Sequence, residues 1–128
     1  MNSKTPLGFQ TEVEFELPKG YVDDSGTLHR RGVMRLATAA DEILPLRDPR
    51  VQQNEAYLAV IVLARVILRL GNLPEIHTGT IEGLFASDLA YLQRLYDELN
   101  SADDGDAHVP MKNGAANSLR RATPLGEA

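Results

Sequence analysis

The chain contains no cysteine and no tryptophan, and only four tyrosines and three phenylalanines in 128 residues. No disulfide, thiolate nucleophile, Cys-based zinc site or iron–sulfur cluster can be assembled from it. Cysteine-free composition fits a reducing compartment, so a cytoplasmic location is expected. An aromatic content of 5% offers no stacking platform for bases. A basic excess is also missing: 13 Lys and Arg stand against 18 Asp and Glu, a net charge of −5. General nucleic-acid binders carry the opposite balance, so no nucleic-acid partner is expected. No apolar stretch reaches the roughly 20 residues of a membrane span, and membrane insertion is not expected. The opening Met1-Asn-Ser-Lys-Thr-Pro-Leu-Gly8 has no apolar h-region, so no secretory signal is expected.

What the chain does have is one dense apolar run. From Ala56 to Leu70, thirteen of fifteen residues are apolar, interrupted only by Arg65 and Arg69. A helix apolar nearly all round belongs in a core. Asp48 as N-cap with Pro49 at the first helical position, and Gly71 as a C′ stop, predict a central helix over 49–70. Burying one large aliphatic side chain stabilises by roughly 1.5–3 kcal/mol, so this run should dominate the apolar core.

The flanking segments supply its cover. Glu12-Val-Glu-Phe-Glu-Leu17 alternates strictly, with Val13, Phe15 and Leu17 on one face and Glu12, Glu14 and Glu16 on the other. Asp23-Asp-Ser-Gly26 is a turn, and Leu28–Leu36 reads as a returning strand bearing His29, Arg31, Val33 and Arg35 on one parity. Pairing them over 11–36 sets a glutamate-rich face beside a cationic one. Thr38-Ala-Ala-Asp41 has capping-box spacing and predicts a short helix over 38–44, ended by Pro45. Ser87 as N-cap, Asp88 in the first turn, and Leu89, Leu92, Leu95, Tyr96 and Leu99 at helical spacing predict a last helix over 87–100. The expected fold class is α+β, a small N-terminal antiparallel hairpin packed on about three helices in one globular domain over 11–100. Residues 1–10 read as a flexible leader and 101–128 as a disordered tail.

Chemistry-bearing patterns are sparse. His29, His77 and His108 are far apart and read as surface or turn residues. No glycine cluster opens a helix in the manner of a phosphate or dinucleotide site. Asp103, Asp104 and Asp106 lack the closing glutamate of a calcium loop. No cofactor, metal or catalytic residue is expected, and the chain does not read as an enzyme. The partner-binding candidates are Arg65 and Arg69, which share one face of the predicted helix, Tyr91 and Tyr96 on the last helix, and the Glu12, Glu14, Glu16 face. The two arginines are expected either to pair with Asp88 or Asp97 or to rim a groove between the central and last helices.

Three stretches in order carry a resemblance: Phe15-Glu-Leu-Pro-Lys-Gly-Tyr-Val-Asp-Asp-Ser-Gly26, Val33-Met-Arg-Leu-Ala-Thr-Ala-Ala-Asp-Glu42, and Ile81-Glu-Gly-Leu-Phe-Ala-Ser-Asp-Leu-Ala-Tyr-Leu92. Together with the long apolar helix, they resemble the small phage tail assembly proteins, which also occur in gene clusters of phage-derived contractile injection systems. The resemblance spans roughly Thr11 to Asn100. It implies a tail assembly chaperone that keeps a helical tape-measure protein soluble while the tail tube forms, and it transfers no catalytic residue. The alternatives are a permanent tube- or baseplate-associated subunit, and a small interaction domain unrelated to tails. A homo-oligomer is compatible with each.

Overall fold

The computed structural model describes residues 11–101. Strands β1 (Glu12–Val22) and β2 (Leu28–Arg35) form the expected antiparallel hairpin, turned at Asp23, whose Oδ1 accepts from the Ser25 and Thr27 amides. Then follow α1 (Ala39–Ile43), a 3₁₀ turn (Leu44–Arg47), α2 (Pro49–Gln53), α3 (Tyr57–Val66), β3 (Ile67–Leu70), α4 (Thr78–Glu82) and α5 (Ala86–Asn100). The fold is α+β, with a three-stranded antiparallel sheet in the order β1-β2-β3 and helices on one face. The predicted leader and nearly all of the predicted tail, including His108 and Asp103–Asp106, lie outside the described residues.

The apolar run is divided between two kinds of structure. The predicted helix over 49–70 stops first at Asn54, whose own side chain accepts from the Ala56 amide and competes with continued helix. It resumes as α3 and stops again at Val66, where Ile67 turns to extended backbone. Ile67-Leu-Arg-Leu70 pairs with β2, with Gly32 opposite Leu70 and Val33 opposite Arg69. A short apolar run suits a buried helix and a buried strand equally well, so periodicity alone could not separate them. The strand reading prevails because β2 needs a second neighbour, and Ile67 and Leu70 thereby leave water completely on the core side.

One core results. Phe15, Leu17 and Met34 from the sheet meet Val62, Leu63 and Val66 of α3 and Leu92 and Tyr96 of α5. Gly32 has no side chain because Phe15 and the Arg69 carbonyl occupy that space; a Cβ there would sit 2.4 Å from the oxygen. Gly71 does stop an element, but the element is β3. Its φ of +57° and the His29 ring, 2.1 Å from where a Cβ would lie, make it a glycine position.

Two polar ties close the sheet ends. His29, 5% exposed rather than on the surface, joins Asp23 through Nε2 at 2.8 Å and accepts the Asn72 amide at Nδ1, 3.2 Å. Asp88 also departs from expectation. Phe85, not Ser87, is the N-cap of α5, and the fully buried Asp88 carboxylate accepts the amides of Lys19 (2.9 Å) and Gly20 (2.8 Å), where β1 is irregular. Replacing it strands two main-chain donors. Asp88→Ala is expected to cost on the order of 2 kcal/mol or more, read as a lower urea midpoint with an unchanged m-value.

Candidate partner-binding surface

The residues singled out from the sequence separate into two groups. Tyr96 and Arg65 belong to a polar cluster between the end of β2, α1, the end of α3 and α5. At its centre Asp41, 2% exposed, accepts from Arg35 Nη1 at 2.7 Å and Nη2 at 3.2 Å, from Arg65 Nε at 2.9 Å and from the Thr38 amide at 2.7 Å. The last contact is the carboxylate half of the expected capping box. Arg35 also donates to the carbonyls of Leu36 and Arg65, each at 2.9 Å. The Tyr96 hydroxyl donates to Glu42, and Asn100 of α5 accepts the Ala37 amide at 2.9 Å. Hydrogen bonds from Arg35 hold the Asp41 carboxyl well below the usual carboxylate range, whereas burial pushes the Tyr96 phenol up. Arg65 and Arg69 therefore do not share a helix face, and no rim of two arginines runs between α3 and α5. Arg65 pairs with Asp41 rather than Asp88, because Asp88 is committed to β1.

The second group converges. Glu14 and Glu16 of β1, Arg31 and Val33 of β2, Arg69 of β3 and Tyr91 of α5 line one open groove of about 750 Å³ that continues to Asn72. The register explains the convergence: Glu16 is opposite Arg31, Glu14 is opposite Val33, and Val33 is opposite Arg69. Glutamates thus line the β1 side and arginines the β2 and β3 positions, with Val33 of β2 between Glu14 and Arg69. Phe15 and Tyr91 meet edge to face at a centroid distance of 6.5 Å beside it. Glu12 stands just outside, opposite Arg35. Among the described residues, neither Glu12, Glu14, Arg31 nor Arg69 is in an ion pair; Glu16 has only a long contact with Arg30 at 3.8 Å.

Sequence reasoning selected Glu14, Glu16, Arg69 and Tyr91 but placed them on separate surfaces. It named Arg31 and Val33 only as members of one strand parity and gave Asn72 no role. The missing link was β3, which carries Arg69 to the sheet. The arrangement suits recognition of a mixed-charge protein surface, with charge of both signs held by rigid strands over a small apolar floor. Among the described residues no cluster of three or more His, Asp or Glu is placed to hold a metal ion, and no helix is long and apolar enough to cross a membrane. No family model, curated protein or solved structure matches the chain.

The Asp41 cluster carries a pH signature. A carboxyl whose folded-state pKa is depressed contributes stability above its unfolded value, near 4, and loses it as pH falls through the folded value. Thermal stability is expected to decline below about pH 4. Asp41→Asn should flatten that decline while lowering stability at pH 7 by roughly 3 kcal/mol, since two guanidinium groups lose their anion. Paired melting curves from pH 2 to 7 read both effects.

Proposed function

We propose that the chain is a tail assembly chaperone-like protein that binds a tape-measure-type helical protein while a phage tail or contractile injection particle is built. The observation that carries this reading is the groove, in which Glu14, Arg31 and Arg69 have no ion-pair partners within the described part of the chain and Glu16 has only the long contact to Arg30. Long helical proteins of the coiled-coil type display glutamate and lysine or arginine alternately along their exposed faces. A groove with one wall of each sign offers such a face complementary contacts and repels a face of uniform sign. The resemblance of residues 11–100 to tail assembly proteins supplies the partner class. Its quoted motifs contain Glu16 of the acidic wall, Arg35, Thr38 and Asp41 of the buried cluster, and Tyr91.

Rim and wall charges act mainly on association and selectivity. The groove charges are separate from the Asp41 cluster, so their reversal leaves the core intact. Affinity purification of the tagged protein from its native host is expected to recover one long helix-rich chain without tube or sheath subunits. Arg31→Glu combined with Arg69→Glu should reduce that recovery about tenfold or more without shifting the melting temperature. Recovery of tube, sheath or baseplate proteins as a stable set would make the chain a permanent particle component. Recovery of neither class would overturn the assignment to tail assembly.

A further inference from the structure

The outer edge of β1 has a hydrogen-bonding pattern of its own. In an antiparallel pair, opposed residues alternate between those that exchange two main-chain hydrogen bonds and those that exchange none. Leu36 donates to the Thr11 carbonyl at 2.8 Å, which places that pair in the bonded class. Counting along the register, Glu12, Glu14 and Glu16 fall in the unbonded class opposite Arg35, Val33 and Arg31. Their N–H and C=O groups therefore point away from β2. Among the described residues no strand lies on that side and nothing hydrogen-bonds to those main-chain groups. The open stretch is bounded, because Pro18 has no N–H and Asp88 occupies the Lys19 and Gly20 amides.

We propose that the Glu12–Glu16 edge receives an extended segment of a partner protein as a fourth strand, and that this segment alternates lysine or arginine with apolar residues. The inference goes beyond the groove reading, since it concerns main-chain pairing at the edge rather than docking on the face. Strand addition derives affinity from the backbone and specificity from alternate side chains. On the outer face of the added strand, the neighbours are Glu12, Glu14 and Glu16, of which the first two have no ion pair among the described residues. On the core-side face they are Val13 and Phe15, with Tyr91 packed on Phe15. Opposite charges across strands attract and like charges directly opposed repel. A second copy of β1 would set glutamate against glutamate. The same three carboxylates thus guard the edge against self-pairing and admit a cationic strand.

The test titrates the full chain with a short synthetic peptide alternating lysine and valine, with a scrambled peptide of identical composition, and with an alternating glutamate–valine peptide. Amide hydrogen exchange at Glu14 and Glu16 is followed by NMR. The alternating cationic peptide should bind roughly tenfold more tightly than the scrambled one and slow exchange at both amides. Glu12→Lys, Glu14→Lys and Glu16→Lys together should transfer the preference to the glutamate–valine peptide. Equal binding of the scrambled peptide would reduce the effect to charge alone and overturn the proposal, as would binding that leaves the two amides unprotected or no binding at all. None of these results bears on which protein co-purifies from the host, so the two readings fail separately.

Discussion

A single buried carboxylate ties together the end of β2, the start of α1 and the end of α3. Asp41 faces two guanidinium groups and one amide, contributed by the last residue of β2, the last turn of α3 and the start of its own helix. An ion pair this deep is stable only when its remaining lone pairs are satisfied, and here Arg35 and Thr38 satisfy them. The cluster fixes where α3 ends relative to β2. That position decides where Ile67 begins to pair, and hence where Arg69 emerges on the sheet. The groove is thus a downstream result of a contact on which none of its residues lies.

The division of labour among charges follows from this. Arg35 and Arg65 are inward-committed and structural, whereas Arg31, on the same strand as Arg35, and Arg69, on β3, are in no ion pair among the described residues. Charged residues on a small sheet are commonly a solvated face, and Glu12 and Glu16 in part answer that description. Glu14 does not, since its cross-strand partner is the buried Val33 and no cation neutralises it from within the described chain. Burying Val33 beneath a charged surface places an apolar floor where a flat sheet would otherwise offer only side-chain tips.

Legibility in the sequence varied with the physics of each element. The hairpin was readable because strict alternation and an Asp-rich turn both specify it, and the Asp48–Pro49 start was readable because capping is local. The last helix was readable from its apolar spacing, although its N-cap fell at Phe85 instead of Ser87. The change from α3 to β3 was not, because both states bury Ile67 and Leu70 equally and only pairing with β2 decides between them. The same failure misplaced Arg69 and separated it from Glu14, Glu16 and Tyr91. Buried polar contacts such as Asp88 with Lys19 and Gly20 span 69 and 68 residues of sequence, and no local pattern announces them.

The imidazole of His29 joins two parts of the sheet that are far apart in sequence. Because Nδ1 accepts the Asn72 amide, the ring proton resides on Nε2 and points to Asp23. One side chain therefore reads out two turns at once, the one joining β1 to β2 and the one leaving β3. Opening either turn therefore removes a hydrogen bond from the same ring, which links the hairpin tip to the end of β3.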